Sequence, residues 1–262
     1  MTSNSYNDDR YIIEAADAAL HVLTTVAENP GLTLAEIAQL ANLNKSRTMR
    51  LLVTLKKHDF VARNQDNRFS LGLKALLCGN TARDHLDIPT IVQPEVDALR
   101  DKTGETVQYR VLSGTRSFCI AKADTLHSVG IQTQLGRPRD LHVGSAKALL
   151  AFGSESLIEK VLSQPLEKYT PQTKVDHQEL LEELEHIRKK GYTISRSERM
   201  EGVLAIGFPI FNADNTVTSS LSLTAPLERV ESQLETLIPL VAETAKAISI
   251  RFGWNPKNYI HF

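Results

Sequence analysis

Thr33-Leu-Ala-Glu-Ile-Ala-Gln-Leu-Ala-Asn-Leu-Asn-Lys-Ser-Arg-Thr-Met-Arg50 is the stretch on which the reading of the fold turns. Thr33 and Glu36 have the spacing of a capping box, in which the threonine hydroxyl accepts from the amide three residues on and the glutamate reaches back. A short helix then carries Leu34, Ile37, Ala38 and Ala41 inward. Asn42 tolerates the left-handed backbone that a tight helix exit needs. Asn44 can cap a second helix running to about residue 58, with Leu51, Leu52 and Leu55 on its buried stripe. Two short helices joined by a turn of about three or four residues make a helix-turn-helix. The second helix opens Lys45-Ser46-Arg47-Thr48-Met49-Arg50, so its first turns offer side chains to phosphates and base edges.

Working outward, Tyr11 to Ala27 reads as a preceding helix, with Ala16, Ala19, Leu20, Leu23 and Ala27 at helical spacing and Asn29-Pro30-Gly31 as its stop. Downstream, Phe60–Arg63 and Arg68–Leu71 are short strands joined by the polar turn Asn64-Gln65-Asp66-Asn67, a wing with Arg63 and Arg68 at its base. The whole chain has a net charge of −1, but the charge is polarised. Residues 1–43 hold one basic residue against six acidic ones, whereas residues 44–74 hold eight basic residues opposed only by Asp59 and Asp66. A charge run is usually no more than a solvated face. Placed on a helix-turn-helix, it is what phosphate neutralisation requires. Ser46, Arg47 and Arg50 are the candidates for base or phosphate contact, Lys45 for phosphate, and Arg63 and Arg68 for the wing, and Thr48 is counted with the DNA-binding residues of the helix.

At 262 residues with 42% hydrophobic side chains, the chain is long enough for two domains. Residues 1–72 read as the DNA-binding domain, 73–88 as a helical linker with Leu73, Leu76 and Leu77 on one side, and 89–262 as the second domain. In that last part a helix is expected from Glu95 to Lys102 between Pro94 and Gly104. Strands are expected at 106–112, 118–123, 129–133, 205–211 and 217–223, and helices at about 146–152, 156–162, 176–190 and 230–252. That order implies an α+β domain with a largely antiparallel sheet. Two distant cysteines, a polar start and no long apolar run predict a reducing, cytoplasmic setting and no membrane span. No metal site and no cofactor are expected, since none of the usual catalytic or zinc-spaced motifs occurs.

The order of pieces resembles the IclR family of bacterial regulators. It is carried by Ala19-Leu-His-Val-Leu23, Gly31-Leu-Thr-Leu-Ala-Glu-Ile-Ala38, Lys45-Ser46 through Arg50-Leu51-Leu52, and Phe69-Ser-Leu-Gly72. It continues in Thr103-Gly-Glu-Thr-Val107, Leu141-His142 and Lys147-Ala-Leu-Leu-Ala151. Gly191-Tyr-Thr-Ile-Ser-Arg-Ser-Glu198, Ala205-Ile-Gly207 and Ile210-Phe-Asn212 are its most specific part. Asn42 stands where glycine is usual and Asn44 where proline is frequent, and both replacements suit the conformation required.

The resemblance implies a GAF-like effector domain, double-stranded operator DNA as partner, and a homodimer, with pairing of dimers into tetramers left open. It also implies a small-molecule effector, an organic acid or related catabolic metabolite. By position, the pocket would include Gly144, Ser145, Ser195, Ala205, Ser222 and Thr224. Ser222 and Thr224 are two apart on a strand and share a face, which is either the pocket or an exposed side. Members that bind very small keto acids tend to have an acidic residue at the position of Ser195 and a cysteine at that of Ala205, so a different ligand is expected. His142 beside Asp140, Cys119, and Arg137 and Arg139 around Pro138 read as structural or surface residues, and Trp254 and Tyr259 as interface or tail. Two other readings remain open. The second domain is an enzyme acting on a small acid with an accessory helix-turn-helix, or the helix-turn-helix is a protein-interaction module with weak salt dependence.

Overall fold

A computed structural model describes residues 11–84 and 87–256. Tyr259 and His85 lie outside the described residues. The chain separates into two compact units, Met1–Leu86 and Asp87–Phe262.

In the first unit α1 (Glu14–Glu28) is followed by β1 (Leu32–Thr33), α2 (Leu34–Leu40), α3 (Lys45–Lys57), β2 (Val61–Arg63), β3 (Arg68–Leu71) and α4 (Leu73–Asp84). Thr33 and Glu36 form the expected capping box at the start of α2. At its other end Asn42 adopts φ 52°. The Leu43 amide donates to Ala38 O and the Asn42 amide to Gln39 O, the paired bonds of a Schellman exit. The Asn44 side chain accepts from the Arg47 amide at 2.8 Å and so starts α3. Val22, Val26, Ile37, Ala41, Leu52, Leu55, Val61 and Phe69 form the core. The buried face of α1 is one step from the expected one. Ala18, Val22 and Val26 recur every four residues, while Leu20 is 63% exposed. Alanines spread around the helix made the two faces hard to tell apart. Thr25 joins the buried face because its hydroxyl donates to His21 O.

The wing contains one strand more than expected: β1 pairs antiparallel with β3, giving the order β1-β3-β2. The turn is fixed by the Asn64 side chain, which accepts from the amides of Asp66 and Arg68. Gly72 ends the hairpin where a Cβ would lie 2.1 Å from Asp59 O, so no larger residue fits without moving the backbone.

The second unit opens with α5 (Ile88–Thr103), β4 (Thr106–Ser113), β5 (Arg116–Ala123) and β6 (Pro138–Asp140). It continues with α6 (Lys147–Ala151), α7 (Glu155–Leu162), α8 (His177–Lys190), β7 (Thr193–Arg196), β8 (Val203–Phe211), β9 (Val217–Pro226), α9 (Leu227–Val230) and α10 (Leu234–Arg251). The strands form one antiparallel six-stranded sheet in the order β6-β5-β4-β9-β8-β7. This is the α+β architecture expected.

Strand alternation gives the sheet two different faces. Val107, Tyr109, Leu221, Leu223, Ile206 and Phe208 face α5 and α10, whose Val92, Val96, Leu99, Leu237, Val241 and Ile248 complete the core. A second apolar cluster, including Leu149, Leu150, Leu157, Leu180 and Leu184, lies among α6, α7 and α8.

Three expectations are corrected. The helix expected at Glu95 starts at Ile88 and carries Pro94 inside it. Burial of Val92, Val96 and Leu99 outweighs the roughly 3 kcal/mol a proline costs within a helix. Residues 129–133 form no strand, despite their β-branched content. They run as a loop whose Ile131 carbonyl accepts from the Thr106 hydroxyl at 2.6 Å. The edge strands β6 and β7 were not anticipated, being three and four residues long. Pro138 sits in an edge strand, where no donor is lost from the middle of the sheet.

Candidate DNA interface and effector cavity

The first two turns of α3 project Lys45, Ser46 and Arg50 into solvent, with Arg47 half-buried. No acidic residue lies in its first turn. Arg47 is engaged by Glu14 at the start of α1, with Nη2 and Oε1 2.7 Å apart. Thr48 does not belong with the contact residues. It is fully buried, and its hydroxyl donates to Asn44 O at 3.0 Å. Position 48 falls on the inner side of a helix whose outer side carries Arg47 and Arg50.

The wing arginines are both exposed and are held differently. The Arg68 guanidinium donates to Gly31 O at 2.7 Å and stands 4.0 Å from Glu36. Arg63 lies over the Phe69 ring, 5.5 Å from its centroid.

In the second unit, the sheet face opposite α5 and α10 is polar. It presents Gln108 and Arg110 from β4, Thr224 from β9, Ala205 from β8 and Ser195 from β7, and these line a cavity of about 180 Å³. Val143, Gly144, Ser145 and Ala146 close one side, and Arg137, Arg139, Arg199 and Met200 also reach it. The structure therefore brings Gly144, Ser145, Ser195, Ala205 and Thr224 together. Ser222 does not line the cavity. It is buried between Gln108 and Gly207 on the neighbouring strands, and its hydroxyl has no partner.

The 144–146 segment lies so close to β8 that a Cβ on Gly207 would be 2.7 Å from Ser145 O. Only glycine lets that backbone approach. The Gly144 amide is not free for a ligand, because it donates to Glu198 Oε2 at 3.1 Å. The other Glu198 oxygen meets Lys147 Nζ at 2.6 Å. Lys147 is wholly buried and also pairs with Glu183 on α8. Burial would push the Glu183 carboxyl up, but Lys147 and Lys174 together hold it below the usual range. The Glu198 carbonyl accepts from the hydroxyls of Thr170 and Thr173. One residue thus ties the segment beside Arg199 to α6 and to the 170–173 turn.

Sequence reasoning missed Arg110 and Arg199 and took Arg139, which is half-buried, for a surface residue; Arg137 is exposed as expected and also reaches the cavity. Arg110 is 2% exposed, and burial holds its guanidinium down to about 10. Burial, with Arg199 and Arg137 close by, also lowers Arg139. The available signal was Gln108 and Arg110 alternating with Val107, Tyr109 and Val111, which puts two polar groups on a covered sheet face. Two residues discounted as chemistry are structural. His142 is buried, stacks on Tyr169 and bonds Glu167 O at 3.0 Å. Cys119 is buried in β5, and burial pushes its thiol up. Among the described residues no cluster of three metal-ligating side chains occurs, and no helix is long and apolar enough to cross a membrane.

The chain matches two family models: the helix-turn-helix domain of IclR over residues 15–65, and the C-terminal domain of the bacterial transcriptional regulator IclR over 80–250. It is 30% identical over 239 residues to the HTH-type transcriptional regulator KipR of Bacillus subtilis, covering 90% of this chain and 96% of that one. It is 28% identical over 248 residues to the transcriptional repressor IclR of Escherichia coli, covering 92% and 90%. The crystal structure of Pseudomonas aeruginosa HmgR superposes with a TM-score of 0.80 at 24% identity over 93% of this chain and 99% of that one. That of Thermotoga maritima IclR superposes with a TM-score of 0.61 at 28% identity, over 91% and 98%. These relatives are transcriptional regulators and not enzymes, which removes the reading of the second unit as a catalyst. The chain belongs to the IclR family of bacterial transcriptional regulators.

Proposed function

We propose that the protein is a cytoplasmic homodimer that binds operator DNA through α3 and the wing, with its operator affinity set by a small organic acid held in the cavity of the second unit. The observation that carries this reading is the pairing of a basic helix start, with no acidic residue in its own first turn, with a cavity in the second unit lined by arginines and no carboxylate. Ser46, Arg47 and Arg50 supply base or phosphate contacts, Lys45 a phosphate contact, and Arg63 and Arg68 backbone or minor-groove contacts. Two copies would place their α3 helices in successive major grooves about 34–36 Å apart, or a multiple of that. Dimerisation is supported by Tyr11, Ile12, Ile13 and Leu20 on or beside α1 and Leu73, Leu76 and Leu77 on α4, all of them exposed apolar side chains.

The effector acts by favouring one dimer geometry over another, since equal affinity for both would shift nothing. The test selects bound fragments from genomic DNA and measures their affinity by fluorescence anisotropy at several salt concentrations, with and without small acids. A specific site, weakened by about 10- to 100-fold in Arg47→Ala with the fold intact, is expected. Retention of no fragment above non-specific binding would sink the proposal.

A further inference from the structure

The cavity concentrates positive charge. Arg110, Arg137, Arg139 and Arg199 all line it, and no acidic residue does. The guanidinium of Arg110 is satisfied by neutral acceptors alone: Ser117 Oγ at 3.1 Å, Ser117 O and Arg137 O at 2.8 Å, and Gln108 Oε1 at 3.4 Å. The carboxylates in neighbouring positions are committed elsewhere. Asp140 takes Arg116 and the Tyr169 hydroxyl, and Glu198 takes Lys147 and the Gly144 amide. Arg199 lies over the Tyr169 ring at 3.5 Å, and its Nε is buried with no partner.

A monocarboxylate would neutralise one of these cations and leave the others facing each other in a half-buried space. Guanidinium forks match carboxylate and phosphate oxygens two at a time, so a ligand with a second anionic charge gains a second set of charge-assisted bonds. Ile131, Val143, Met200 and Val203 supply an apolar wall for a short hydrocarbon body. We infer that the effector is a small organic anion carrying at least two negative charges, a dicarboxylate or a phosphate monoester, gripped by Arg139 and Arg199 above the floor made by Arg110. This rests on the effector reading given above and narrows it.

The experiment titrates the full-length protein at pH 7.5 and fixed ionic strength with succinate, monomethyl succinate, glycerol phosphate and butyrate. Affinity is read by calorimetry, and the effect of each on operator binding is recorded. At least one dianion should bind about ten-fold or more tighter than the monoanions. Which dianion does so assigns carboxylate or phosphate as the source. In Arg139→Gln the preference should shrink to about two-fold, while the ligand-free variant melts above the wild type because a repelled cation has gone. A merely structural arginine would lower that melting temperature. Monoanions bound as tightly as dianions would overturn the charge assignment and leave the effector reading standing. Binding by none of the four, with no change in operator affinity, would overturn both.

Discussion

Replacing Lys147 by methionine removes the ammonium that meets both Glu183 and Glu198 in a site with no solvent access to the lysine itself. Glu183 keeps Lys174 at 2.9 Å, so it stays compensated. Glu198 is left 8% exposed with only the Gly144 amide as donor. Breaking a buried pair from one side costs about 3–5 kcal/mol, and the surviving Lys174 contact places this case near the lower end, about 3 kcal/mol. For a unit of this size that corresponds to a fall of roughly 6–12 °C in Tm.

The pH dependence has a definite sign. In the wild type the depressed Glu183 carboxyl contributes stability above the ordinary carboxylate range, and this is lost as pH falls. In Lys147→Met the largest of the causes that lower Glu183 is gone, so the variant loses less stability on acidification and the gap between variant and wild type narrows as pH falls. Calorimetric melts of both proteins from pH 8 to pH 5.5 read the effect, with the second unit followed by its own transition. Adding Glu198→Gln should recover part of the loss, since the amide oxygen still accepts from Gly144. Equal melting temperatures at neutral pH, or a gap that widens on acidification, would refute the reasoning.

Gly207→Ala puts a methyl group 2.7 Å from Ser145 O and should cost about 1–3 kcal/mol. It should blunt the effector response while operator binding by the ligand-free protein is unchanged; a normal response in the same anisotropy assay speaks against the 144–146 segment as a cavity wall. Glu14→Gln frees Arg47 from an exposed ion pair worth about 0.2–1 kcal/mol, so operator affinity should rise by up to about five-fold. A loss of affinity would mean that Glu14 orients Arg47 for contact. Lys45→Ala should weaken binding to every DNA sequence alike and reduce the slope of log K against log salt by about one. A change confined to one sequence would make Lys45 a base reader.

The helix-turn-helix was legible because its signals are local. Thr33 with Glu36, Asn42 and Asn44 each fix a backbone event within three residues of themselves, and all four behave in the structure as their chemistry dictates. The long strands β4, β5, β8 and β9 were legible for the same reason. What was not legible depends on partners remote in sequence. The face of α1 is chosen by α3 and β3, and β6 exists only because Arg116, Ser117 and Phe118 pair with it. Arg139 looked like a surface residue beside a proline, and only the strand pairing of β5 and β6 shows that it is half-buried on the sheet edge. Ser222 went wrong in the opposite direction. It has the right face and the right spacing, but its hydroxyl is buried and does not line the cavity.

Thr33 occupies two structures at once: it is the last residue of β1, paired with Arg68, and the cap of α2. The start of α2 and the wing are therefore one cooperative piece that must open and close together. Amides at the start of α2 and along β3 should exchange with solvent at a common rate set by a single opening event. Because Leu32 pairs with Phe69, which comes later in the chain than α2 and α3, that piece cannot close on a growing chain until the wing has been synthesised.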